Sequence, residues 1–231
     1  MAATHALPTD WGRPVAIDNP TDAPTPVQRT IAELEPLRLV LVEPAQSTLW
    51  RQFMERFHYL GHRTPVGAHL RYFVKSGKDE ILACFLWTSP AWEMAARDRW
   101  IGWNPAQRAR NLQYIVNNSR FLILPWVQVR GLASTILARS ARQIPQDWLK
   151  HYGYSPLLLE TLVDGSRFKG TCYRAANWIH LGQTAGGSRR DRLQQPLPKT
   201  AKLLFVFPLC RRVQQRLCLI APPSVPPIDD D

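Results

Sequence analysis

The chain has 231 residues, with 29 Lys plus Arg against 18 Asp plus Glu, a formal net charge of +11 and 45% hydrophobic residues. A chain this apolar can bury a core, which excludes wholesale disorder. No apolar run approaches the ~20 residues that a bilayer span needs, and no basic start leads into an apolar stretch, so neither a membrane span nor a signal peptide is expected.

The charge is unevenly placed. Residues 1–45 hold three arginines against six carboxylates, and residues 221–231 hold three aspartates. The stretch 46–220 therefore carries 26 basic against 9 acidic residues, or +17. Arginine outnumbers lysine 23 to 6. Guanidinium groups fit phosphates and carboxylates and stack on planar rings. A polyanionic partner, either nucleic acid or a phosphate-bearing cofactor, is expected on the body, with plain solubilising charge as the alternative. Cys84, Cys172, Cys210 and Cys218 form no C-x-x-C pair, which fits free thiols and a cytoplasmic location.

In chain order, residues 1–36 read as an extended Pro-rich arm, with Pro8, Pro14, Pro20, Pro24 and Pro26 and little apolar periodicity. Leu37–Val42 reads as a strand. Gln46–Leu60 reads as a helix, with Leu49, Phe53, Phe57 and Leu60 at helical spacing and Gly61 as its stop. His69–Val74 and Glu80–Trp87 read as a hairpin around Lys75-Ser-Gly-Lys-Asp. Ala91–Val116 reads as a loop with a helix. Phe121–Val127 is expected as a strand, Gly131–Ile144 as a helix, Leu157–Val163 as a strand, Thr171–Leu181 as a helix ended by Gly182, and Lys202–Phe207 as the last strand. Residues 220–231 read as a disordered acidic tail. The pattern is α/β, a single domain over residues 37–219 with a mixed central sheet flanked by helices. A doubly wound parallel sheet is the runner-up, but it does not account for the hairpin.

One stretch carries chemistry. The strand ending near Pro125 runs through a short loop, Gln128-x-x-Gly131-x-Ala133, into a helix. Glycine lets backbone approach a ligand, and a helix N-terminus offers free N–H groups and partial positive charge, which together suit a pyrophosphate. The candidate cofactor-binding residues are Val127, Gln128, Arg130, Gly131, Leu132, Ala133 and Ser134. The alternative is a glycine that only caps a tight turn. Further on, Arg97-Asp-Arg99-Trp-x-x-Trp103 interleaves bases with aromatics, and Arg167-Phe-Lys169-Gly-Thr171 precedes a helix with Thr171 as a possible N-cap. Arg97, Arg99, Arg167, Lys169, Arg174, Arg189 and Arg190 are the candidate nucleic-acid contacts. His58, His62 and His69 with Glu55 show no metal-ligand spacing, so no metal is expected.

The strand–loop–helix stretch and the order of elements around it resemble the GNAT acyltransferases. The resemblance implies a GNAT-like fold and a cofactor, acetyl-CoA or another acyl-CoA, held by its pyrophosphate at the Gln128–Ser134 turn. It also implies a tyrosine that protonates the departing thiolate and an acidic general base. Trp178 stands at the tyrosine's place, and indole cannot supply that proton. Asn117, Asn118 and Ser119 offer no base. Tyr173 and Glu160 remain as the candidate catalytic residues.

A second resemblance rests on several stretches together: Tyr59-Leu-Gly-His, Gly67-Ala-His-Leu-Arg-Tyr, Ser89-Pro-Ala-Trp, Arg97-Asp-Arg-Trp-Ile-Gly-Trp103, Asn117-Asn-Ser-Arg-Phe-Leu-Ile-Leu-Pro-Trp126 and Arg167-Phe-Lys-Gly-Thr-Cys-Tyr-Arg-Ala-Ala-Asn-Trp178. They resemble the DruA family of the Druantia anti-phage defence systems, a domain also seen beside or fused to transposases. The resemblance implies a bacterial, cytoplasmic setting with DNA or RNA, and other proteins of the same defence or transposon system, as partners. The expected function is a nucleic-acid-associated protein on a GNAT-like fold. The alternative is a CoA-dependent N-acyltransferase acting on a protein or tRNA amine.

Overall fold

The computed structural model describes Thr21 and residues 25–184 and 201–219. Its elements are α1 (Ile31–Leu34), β1 (Arg38–Leu41), α2 (Ser47–Phe57), β2 (His69–Lys75), β3 (Ile81–Thr88), α3 (Ala95–Ile101), α4 (Pro105–Asn111), β4 (Ile115–Ile123), α5 (Leu132–Tyr152), β5 (Leu158–Asp164), α6 (Thr171–Ala175), β6 (Ile179–Gln183), β7 (Lys202–Pro208) and α7 (Val213–Leu219). The strands form one seven-stranded sheet in the order β1-β2-β3-β4-β5-β7-β6. Only β4 and β5 pair in parallel; every other neighbour is antiparallel. The mixed α/β architecture and the hairpin are as expected.

The sheet separates two apolar clusters at its β4–β5–β7 end. Side chains alternate along a strand. Leu159 and Phe205 point into the larger cluster, while their neighbours Leu158 and Val206 point into the smaller one. On the larger side α5 buries Leu132, Ile136, Leu137, Ala141, Ile144 and Trp148, a face set by helical spacing. On the smaller side Ile101 of α3 and Val213 and Leu217 of α7 close over Leu158.

Four expectations are corrected. Residues 25–36, expected as part of an extended arm, are packed. Val27 bridges Val127 in parallel, a Thr30/Glu33 capping box starts α1, and Leu34 is buried. The strand expected at Phe121–Val127 begins at Ile115, because Asn117–Arg120, polar enough to read as loop, pairs with β3. The helix expected to stop at Ile144 runs through Pro145 to Tyr152, where the buried Trp148 ties its last turns to the core. The helix expected over Thr171–Leu181 ends at Ala175. Asn177 sits at φ 62, and Ile179–Gln183 pairs with β7 as a strand. The tail from residue 220, and Arg189 and Arg190, lie outside the described residues. Among the described residues, no helix is long and apolar enough to cross a membrane.

Candidate functional site

The geometry of the site follows from how β4 meets its neighbours. Opposite β3, Leu86 faces Arg120 and Trp87 faces Asn118, so Ser119 is an extra residue, a bulge. Opposite β5, pairing covers only Ile115–Asn118 with Leu158–Thr161. Past that point the two strands have no shared ladder, and a cleft of about 680 Å³ opens between them. Its walls are Asn118–Ile123 of β4 and Thr161–Asp164 of β5. The end of α2 contributes Phe57, His58 and Tyr59, and the segment 167–173 closes the far side. Ala133, at the start of α5, reaches the cleft from the candidate cofactor loop.

Tyr173 stands in this cleft, buried, with its hydroxyl donating to Asn118 Oδ1 at 2.8 Å. Asn118 is held in turn. Its amide donates to Leu86 O at 3.4 Å and Arg120 O at 3.1 Å. Thr161 Oγ1 donates to Asn118 O at 2.9 Å. The bulge thus turns a side chain of β4 toward α6 and fixes where the phenol points. Burial pushes the Tyr173 phenol well up, so it keeps its proton across the neutral range. Trp178 is buried against Tyr173, rings 5.2 Å apart, and its indole N–H has no hydrogen-bond partner among the described residues.

Glu160 is not in the cleft. It follows Leu159 on β5 and points to the opposite face, fully buried beside Arg97. The structure therefore does not bring Glu160 and Tyr173 together, because alternate residues of one strand face opposite ways. Burial pushes the Glu160 carboxyl up, and the Arg97 guanidinium draws it part of the way back. Arg97 is corrected as a nucleic-acid contact, since it is 0% exposed. Its guanidinium donates to Glu160 Oε2 at 3.2 Å, Ala91 O at 2.9 Å, Asp98 Oδ1 at 2.9 Å and Trp92 O at 3.2 Å. Trp103 Nε1 donates to the same Asp98 oxygen at 3.0 Å. The Arg–Asp–Arg–Trp stretch is a structural knot, and of its bases Arg99 alone is exposed.

The loop expected to hold a cofactor joins β4 to α5. Gly131 is the N-cap of α5 at φ 78, a left-handed conformation that favours glycine, and a Cβ there would meet Ile31 at 3.5 Å. The N–H groups of Val127, Gln128 and Leu132 are already taken. They donate to Leu124 O, Val27 O and Val129 O. Those of Val129, Arg130, Gly131, Ala133 and Ser134 donate to nothing among the described residues. The Ser134 hydroxyl donates to Gly131 O at 2.9 Å. Five free donors, broken only at Leu132, lie at the start of a 21-residue helix next to a cleft, and such a set fits a pyrophosphate.

Arg167 and Lys169 are exposed on the cleft's far side, and Arg174, also exposed, lies beyond the lining with its guanidinium 5.2 Å over the Phe205 ring. Gly170, not Thr171, is the N-cap of α6, at φ 66, and a Cβ there would lie 2.5 Å from the Phe205 ring. Burial and the nearby Arg120 charge lower His58 to a pKa of about 4, so its imidazole is neutral at pH 7. Sequence reasoning missed Asn118, Thr161, His58, Tyr59 and Phe168. The signal for Asn118 was a polar pair, Asn117-Asn118, leading into an apolar strand. Tyr59 and Phe168 gave no periodic signal.

Among curated proteins, none matches the chain. Solved structures similar to it include spermidine N-acetyltransferase from Vibrio cholerae in complex with CoA and spermine. That structure is 9% identical, with a TM-score of 0.48 over 75% of this chain and 95% of that one. A chimera of SpeG from the same organism with hSSAT is 10% identical, with a TM-score of 0.48 over 80% and 99%. The family model described as Druantia protein DruA matches residues 15–195, a span that holds the bulge, the cleft, Tyr173 and the free-donor loop. The chain belongs to the DruA family.

Proposed function

We propose that this DruA-family chain binds an acyl-CoA in the β4–β5 cleft and transfers the acyl group to an amine of a protein or nucleic acid in a bacterial defence setting. The observation that carries the reading is the run of unpartnered backbone N–H groups at Val129–Gly131 and Ala133–Ser134 beside the cleft. The bound cofactor would supply an acyl thioester. The chain's own residues do the rest. The free donors and the α5 terminus hold a diphosphate, and Arg130 adds charge from an exposed position. Tyr173, kept protonated by burial and oriented by Asn118, holds a proton at its Oη inside the cleft. Glu160 takes no part, since it faces away.

A thermal shift with CoA and acetyl-CoA tests the reading, because a ligand that binds only the folded state raises its midpoint. Wild-type protein is expected to shift. Gly131→Val should abolish the shift by placing a branched side chain at a left-handed position where the backbone must approach the ligand. Arg130→Ala should only weaken it. No shift with CoA, acetyl-CoA or any nucleotide would mark the loop as structural.

A second reading is favoured by a separate observation. Arg99, Arg167, Lys169 and Arg174 are exposed and form no ion pair among the described residues. In this reading the protein is a nucleic-acid-associated module, held by phosphate contacts, with or without catalysis.

A further inference from the structure

The turn after α2 and the loop after β5 are distant in sequence and meet at the cleft mouth. They bring together side chains that cofactor binding does not use. The Tyr59 and Phe168 rings lie 5.5 Å apart. The Arg167 guanidinium sits 5.1 Å over the Tyr59 ring, and the His58 imidazole stacks on Tyr59 at 4.9 Å. Phe168 is 49% exposed, so a large flat face is open to solvent. Asp164, the last residue of β5, accepts from the Ser166 N–H at 3.0 Å and the Ser166 hydroxyl at 2.6 Å, and it forms no ion pair with Arg167. Gly170 locks the loop against Phe205, because no Cβ fits there. The platform is therefore pre-organised, positively charged and aromatic.

We propose that this platform binds single-stranded nucleic acid, stacking an unpaired base on the exposed ring of Phe168, which Tyr59 backs, while Arg167 and Lys169 hold the flanking phosphates. The inference rests on the nucleic-acid reading above and needs no cofactor. An exposed ring gains by stacking only where a base face is free, and a duplex hides those faces. The like-signed cations match a phosphate backbone. An acidic peptide would satisfy the charges but leave the rings idle. His58, neutral at pH 7, adds a flat ring without adding charge.

The test is fluorescence anisotropy with the full chain and 12-nucleotide RNA and DNA, single-stranded and duplex, over a salt series. Single strands are expected to bind more tightly than duplex of the same length. Phe168→Ala should weaken single-strand binding about tenfold, the loss of one stacked base, without changing the salt slope. Phe168→Leu, which keeps the apolar contact and removes the ring, should do the same. Arg167→Gln should reduce the slope of log K against log salt by about 0.7, one phosphate contact. Thermal midpoints of the variants check folding. Equal affinity for duplex and single strand, with both Phe168 variants unchanged, would overturn the platform while leaving general charge attraction standing. Displacement by polyglutamate as effective as by RNA would also overturn it. No binding at low salt would remove both readings.

Discussion

Asn118 has every side-chain polar atom engaged: its amide nitrogen donates to Leu86 and Arg120 carbonyls, and its oxygen accepts from Tyr173. A polar residue so satisfied inside a sheet marks a place where side-chain geometry matters more than apolar packing. Arg97 and Glu160 show the opposite use of polarity. Both were read from sequence as functional, and both are fully buried in one ion pair. Sequence lists residue types and local spacing, but the strand face that removes Glu160 from the cleft depends on pairing with β4 and β7. The pair makes a pH-dependent prediction. Arg97→Met leaves a buried carboxylate without its cation, which costs about 3–5 kcal/mol. Burial then raises the Glu160 pKa further. A raised acid pKa means the penalty is absent below the unfolded value and grows as pH rises above it. The loss of stability, from urea midpoints, should therefore be larger at pH 8 than at pH 5. Equal losses would show that the pair is solvated.

The elements that sequence located best were those whose signal is local. The β2–β3 hairpin, α2 and the core face of α5 follow from turn chemistry and periodicity. The misplaced ones depend on distant partners. β4 begins in a polar run because β3 and β5 supply its hydrogen bonds, and β6 replaces the end of an expected helix because β7 lies beside it. The segment before α1 is the clearest case. Its prolines suggest an arm, yet Val27 donates to Trp126 O at 2.8 Å and accepts from the Gln128 N–H at 2.9 Å. Arg29 pairs with Glu80 at 2.6 Å and fastens the segment to β3's approach. This strap fixes one end of the free-donor loop. Val27→Pro deletes the N–H that Trp126 accepts and should loosen the strap. Hydrogen exchange at the Gln128 amide should then speed up at least tenfold while β3 amides stay protected. Unchanged exchange at Gln128 would mean that the loop holds itself.

For the whole molecule, two groups of arginines stand out among the described residues. Arg29, Arg38, Arg97, Arg108 and Arg139 form ion pairs that tie separate segments of the chain together. The exposed bases near the cleft form none, and they give the charge surplus a direction. The sheet supplies the rest of the logic. Five strands in antiparallel pairing flank the parallel pair β4–β5, which parts after Thr161, and the gap receives Tyr173 from one side and the start of α5 from the other. The architecture and the loop motif were legible because a strand–glycine–helix junction is written in consecutive residues. The splay was not, since it follows from a bulge that local propensity does not encode. The central claim is that the Val129–Ser134 backbone binds an acyl-CoA diphosphate. Amide NMR shifts recorded during a CoA titration test it most directly. The Val129, Arg130, Gly131, Ala133 and Ser134 amides should move together and saturate, because a phosphate oxygen replaces water on each free N–H. A titration that leaves these amides in place would contradict the account.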